Sequence, residues 1–206
     1  MKKSMTILAI TLVGGLLTCQ SVLAAGSKTS LGLGAGLAPD YEGSDDYTFI
    51  PMIYGRYSYG DGAYLQLQGT ELKWNILNDK VEFGPLLQYR MSRNEVESNR
   101  VEDMDKVDSA VAAGAFLTGR VDNFSATIKF ATDVSDDDTG YTVTLGGDYQ
   151  AKVSEKLRMT FGLSTTYASD DYMETYFQID NGNRGNTSLK NYKADDGEWK
   201  DVGVHM

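Results

Sequence analysis

From Leu31 onward apolar residues take every second position, and the rows they form contain no Asp, Glu, Lys or Arg. A period of two belongs to β-strands, because successive side chains point to opposite faces of a sheet. Ser30–Tyr57 sets the plan. Leu31, Leu33, Ala35 and Leu37 alternate with Ser30, Gly32, Gly34 and Gly36 up to Pro39. Asp40–Asp46 is a polar turn, and Tyr47, Phe49, Pro51, Ile53 and Tyr57 then oppose Thr48, Arg56 and Ser58. The same alternation starts again near Ala63, Leu72, Val81, Val111, Phe124, Tyr141 and Leu157, giving nine strands. A partial tenth begins at Trp199.

The rows opposite the apolar ones carry Arg56, Glu71, Lys73, Glu82, Arg90, Asp108, Lys129, Asp148 and Arg158. Charge confined to one face is what a lipid-facing wall requires, since Arg or Lys at mid-bilayer costs about 2–4 kcal/mol. The connections also sort by length. Tyr59–Gly62, Asn78–Lys80, Arg120–Asn123 and Lys152–Glu155 are short. Pro39–Asp46, Arg93–Lys106, Asp133–Gly140 and Ser169–Glu198 are long and polar, with a tight turn at Gly69–Thr70 between them. Short turns on one side and long loops on the other match outer-membrane barrels. The expected fold is all-β, an antiparallel transmembrane β-barrel, with a soluble lipocalin-like barrel as the alternative.

Lys2 and Lys3, the apolar run Met5–Leu17 and the small pair Ala24–Ala25 read as a secretory signal peptide over residues 1–25. Residues 26–206 form the barrel domain. Cys19 falls inside the leader, and Thr18 before it disfavours a lipoprotein site, so the mature chain has no thiol or disulfide chemistry. Removing the two lysines takes the formal charge from −10 to −12, which excludes nucleic acid as a partner drawn by net charge. No later run is long enough for a membrane-spanning helix. Low overall hydrophobicity does not oppose a barrel, since only half of each strand is apolar.

The only histidine is His205, so a hydrolytic triad is not expected, and no catalytic residue is assigned. Zinc lacks its usual ligands, and the loop carboxylates lack calcium-loop spacing, so no metal or cofactor is assigned either. The acidic-aromatic loops are the candidate interaction sites: Asp40, Tyr41 and Asp46 in one, Asp170, Asp171, Tyr172 and Tyr176 in another. These two loops are expected to meet in space. Asp170–Gln178 has the spacing of one short helical turn, read as packing on the barrel rim, with a lid or a partner-binding loop as alternatives. The candidate lumen residues are Arg56, Glu82, Arg90, Lys129, Asp148 and Arg158. Mixed signs there fit either a wide aqueous pore or a narrow lumen of paired charges.

Gly34–Tyr47 (GAGLAPDYEGSDDY), Phe83–Tyr89 (FGPLLQY), Ala168–Phe177 (ASDDYMETYF) and Lys200–Val204 (KDVGV) resemble the MipA/OmpV family of Gram-negative outer-membrane proteins, the MltA-interacting proteins. The resemblance implies a barrel of about twelve strands in a complete relative and an address in the outer membrane. This chain has about nine plus a partial tenth, so the C-terminal strands are expected to be missing. It also implies a non-enzymatic scaffold joining a murein hydrolase to a murein synthase, with membrane lipid and lipopolysaccharide around the wall. A small-solute channel and an adhesin acting through acidic outer loops are the alternatives.

Overall fold

A computed structural model describes residues 29–39, 41–42, 44, 47–59, 61–92, 106–135, 139–155, 157–182, 185 and 190–206, and the backbone of 9–13. Ten antiparallel strands form a strongly curled, open half-barrel. They are β2 (Thr29–Pro39), β3 (Tyr47–Tyr59), β4 (Ala63–Gln68), β5 (Glu71–Asn75), β6 (Val81–Arg90), β7 (Ala110–Val121), β8 (Phe124–Asp133), β9 (Tyr141–Lys152), β10 (Arg158–Ala168) and β11 (Glu198–His205). Each pairs with its neighbour in sequence, from β2 to β11. A further segment, β1 (Ala9–Val13), lies within the expected leader and runs parallel to β11. The nine strands and short tenth read from the alternation correspond to β2–β11.

Burial explains why the strands adopt this register, and β6 makes the case. Its sequence VEFGPLLQYR alternates exposed and buried, with Val81, Phe83, Pro85, Leu87 and Tyr89 outward and Glu82, Gly84, Leu86 and Arg90 inward. Phe83 is 43% exposed and Glu82 only 4%. The polarity is inverted relative to a sheet in water, whose buried face is the apolar one. The same holds around the wall: Leu33, Phe49, Ile53, Leu65, Leu117, Ile128, Leu145 and Phe161 all point out.

One inward row can be followed across six strands, from Gly84 to Phe116, Lys129, Thr144, Thr166 and Asp201. The concave face is not purely polar, however. Leu86, Ala112, Phe116 and Ala131 form a small apolar cluster there. Alternation alone would leave Leu86 and Phe116 unnoticed, because both sit in rows otherwise made of charged and small residues.

Strand direction places the connections after β2, β4, β6, β8 and β10 at one end and those after β3, β5, β7 and β9 at the other. Apart from the Gly69–Thr70 turn, the long loops share the first end, as expected. Among the described residues one α-helix, α1 (Asp170–Phe177), follows β10 at that loop end. Among the described residues no helix is long and apolar enough to cross a membrane.

Candidate functional site

Helix α1 starts where the sequence provides a cap. Ser169 is extended, and its Oγ accepts the Tyr172 N–H at 3.3 Å, satisfying one of the free donors of the first turn. Asp170 and Asp171 add negative charge at the positive end of the helix. The same Oγ accepts the Tyr141 N–H at 3.0 Å, and the Ser169 N–H donates to the Tyr141 carbonyl at 2.9 Å, so the cap is fixed to β9. Gly140 allows this approach. It has φ +68°, and a Cβ there would lie 2.2 Å from Ser169 Oγ and 2.6 Å from the Tyr172 nitrogen.

Tyr172, Met173 and Tyr176 face inward and pack with Val107, Ala168 and Ala194. The rings of Tyr172 and Tyr176 stack with centroids 4.4 Å apart. Burial pushes both phenols above their ordinary value near 10. The partners of Tyr172 come from distant parts of the sheet. Its hydroxyl donates to Glu42 Oε1 at 3.2 Å in the β2–β3 loop. Arg90, the last residue of β6, has its Cζ 4.9 Å from the ring centroid, and Lys200 Nζ of β11 is 5.7 Å from it.

Lys200 in turn donates to Glu42 Oε2 at 2.9 Å and to Asp201 Oδ2 at 2.7 Å. Glu42 follows β2 and Lys200 lies in β11, the first and last of the ten antiparallel strands. A helix that leaves β10 and touches β6, β11 and the β2–β3 loop must lie across the loop-end mouth, not outside the wall. Arg90 is 9% exposed. Its Nη1 donates to Thr139 Oγ1 at 3.3 Å, and Thr139 donates to the Asp133 carboxylate. Among the described residues its Nη2 has no hydrogen-bond partner.

Below the helix the concave face is filled by paired groups. Tyr64 donates to Glu82 Oε2 at 2.9 Å, and Arg120 reaches Glu82 Oε1 through Nε at 3.2 Å and Nη2 at 3.1 Å. Arg56 stacks on the Tyr64 ring with its Cζ 3.7 Å from the centroid. Glu71 lies between Lys129 at 2.8 Å and Lys73 at 3.5 Å, and Lys73 lies 5.4 Å from the Phe116 ring centroid. Asp148 pairs with His205 Nε2 at 2.8 Å. Tyr64, Phe116 and Asn75 are almost wholly buried. The imidazole faces a carboxylate, and the neighbouring Ser125 hydroxyl points to that same carboxylate, so these groups do not form a nucleophile–base pair. Among the described residues no three potential metal ligands converge.

The sequence-predicted residues divide accordingly. Tyr172 and Tyr176 are buried in α1, and Asp170 and Asp171 are exposed at its start. The two acidic-aromatic loops meet, with Glu42 as the contact in the first; Tyr41 is half-buried beside it, and Asp40 and Asp46 lie outside the described residues. Arg56, Glu82, Arg90, Lys129 and Asp148 face the concave side, whereas Arg158 is exposed at the short-turn end of β10. Sequence reasoning passed over Glu42 and Lys200 as site residues, and placed Arg120, the partner of Glu82, in a turn. Lys200 had a visible signal: it is a lone cation at the start of an otherwise apolar alternating run.

The inverted polarity of the strands, the sorted loops and a helix across one mouth define an open half-barrel with an apolar outer face and a charge-paired interior. The family model described as MltA-interacting protein MipA matches residues 31–206. The chain belongs to the MipA family. Comparison with curated proteins and with solved structures gives no significant match.

Proposed function

We propose that the protein sits in the outer membrane of a Gram-negative envelope as a non-enzymatic scaffold, following removal of a leader that ends at Ala24 or Ala25. The β6 pattern carries this reading: exposed Val81, Phe83, Leu87 and Tyr89 against buried Glu82 and Arg90. Water would penalise that arrangement, and hydrocarbon favours it.

The β8–β9 hairpin supports it with two aromatic pairs. Phe130 and Tyr141 lie 5.6 Å apart at the loop end, and Phe124 and Tyr149 lie 4.8 Å apart at the turn end. Eight residues separate Tyr141 from Tyr149, about 26 Å along a strand. At a tilt of about 40° this spans roughly 20 Å of depth, close to the band between aromatic girdles. Tyr167 and Trp199 add a pair at the loop end. The outer face would then meet lipid, with lipopolysaccharide around the acidic loops.

The family name points to the partner, the murein hydrolase MltA, with a murein synthase as the second arm of the scaffold. Such partners would meet the short-turn end, where Asp61, Asp79, Lys80, Asp122 and Glu155 are exposed. The interior does not favour a wide solute channel, because Tyr64, Phe116 and the Lys73–Glu71–Lys129 triad occupy the section.

Envelope fractionation tests the membrane reading. The protein is expected in the detergent-soluble outer-membrane fraction, migrating faster on a gel when unheated than when boiled. Recovery as a detergent-free, water-soluble monomer would refute it.

A further inference from the structure

We propose that β2 and β11 are the two sides of a seam that closes edge to edge once β1 is cut away, so that β1 acts as a spacer holding the sheet open. This rests on the leader removal and lipid setting of the proposed function, and the experiment below reads those separately.

Three observations carry it. First, the sheet is already curled far enough to bring its two sides together at the loop end. Lys200 Nζ of β11 donates to Glu42 Oε2, just past the end of β2, at 2.9 Å. As the first and last of ten antiparallel strands, β2 and β11 run in opposite directions, which is the relation that closing an outer-membrane barrel requires.

Second, the sides are held apart below that contact by the width of one strand. β1 pairs with β11 from Ala9 opposite Asp201 to Val13 opposite His205, and it lies beside β2 on its other flank. Two strand spacings separate the β2 and β11 backbones by about 9–10 Å there. The spacer, AITLV, carries no charged residue and falls within the expected leader.

Third, the spacer serves only one of the two sides. It forms a parallel ladder with β11, whereas no described strand forms a ladder with the outer edge of β2. Hydrocarbon offers backbone N–H and C=O groups no partner, so an open edge is strongly disfavoured there. Antiparallel pairing of β2 with β11 serves both edges and, unlike insertion of β1, leaves an even number of strands. The section filled by Tyr64, Phe116 and their charged neighbours suits the narrow interior of such a barrel.

Disulfide trapping in the full-length chain tests the seam, with C19S removing the native thiol. Two cysteines bridge only when their Cα atoms lie within about 7 Å, so a seam one strand too wide cannot be bridged and a closed one can. In protein refolded in micelles, I10C/V202C is expected to oxidise, reporting β1 against β11. L33C/V204C, A35C/V204C and L37C/V204C scan the outward rows across the seam, and none should crosslink in the full chain. After cleavage by a specific protease at a site inserted behind Ala25, one of the three should crosslink. Detergent dependence of the same samples reads the membrane proposal, whichever cysteines join, and mass reads the cleavage. Absence of the I10C/V202C bridge would overturn the spacer. Failure of all three β2–β11 pairs after cleavage, or equal crosslinking before and after it, would overturn the closing seam.

Discussion

Glu71 shows how single residues hold the interior. Its carboxylate lies between Lys129 and Lys73, and the side chains of all three are mostly shielded. Glu71→Gln would leave two ammonium groups facing a neutral amide, so a loss of about 3 kcal/mol is expected, the lower end for breaking a buried pair. Glu82→Gln should cost less, about 1–2 kcal/mol, because Arg120 is 42% exposed and can recover water. Urea unfolding of the refolded variants in micelles would measure both. At this scale the sequence disclosed which residues face inward but not whom they meet. Glu71, Lys73, Glu82 and Lys129 all lie in rows opposite the apolar ones, so their side was legible from the period. Their pairing depends on the curl of the sheet and on neighbours such as Lys129 for Glu71, 58 positions away. Leu86 and Phe116 were illegible for another reason: an apolar residue on the inner row is indistinguishable from one on the outer row until register is known.

Among the elements, α1 was half legible. Ser169, two aspartates and apolar residues at helical spacing indicate a short helix with one buried face, and the helix is there. Its position over the mouth comes from Arg90, Glu42 and Lys200, none of which lies near it in sequence. Burial raises the phenols of Tyr172 and Tyr176, and this fixes a pH dependence. The folded cap keeps both protons at a pH where the unfolded chain, titrating near 10, has lost them. The contribution of the cap is therefore fully present below about pH 10 and falls as pH rises beyond it. Alkaline titration should show late-ionising tyrosines, two fewer in Tyr172→Phe/Tyr176→Phe, together with loss of the helix signal. If all tyrosines ionise together near pH 10 with the helix intact, these two rings are not buried.

Across the whole molecule the uncharged outer row was the most legible feature, because it repeats in every strand and needs no knowledge of partners. It also gives the sharpest prediction for the bilayer. Leu87 lies within the outward row of β6, and Val121 lies at the turn end of β7. Leu87→Arg should cost roughly 2–4 kcal/mol of stability in lipid vesicles, and Val121→Arg about 0–1 kcal/mol, since the penalty for charge falls toward the interface. Equal penalties at the two sites would mean that no hydrocarbon slab surrounds the wall.

Because consecutive strands from β2 to β11 pair with one another, no segment among them has to wait for a remote one before it can be laid down. The sheet can grow like a row of tiles, one hairpin after another. The Glu42–Lys200 contact is of another kind: it joins positions 158 apart and has nothing to close on until both β2 and β11 are in place. What fastens the mouth is thus laid last, after the tiles between β2 and β11.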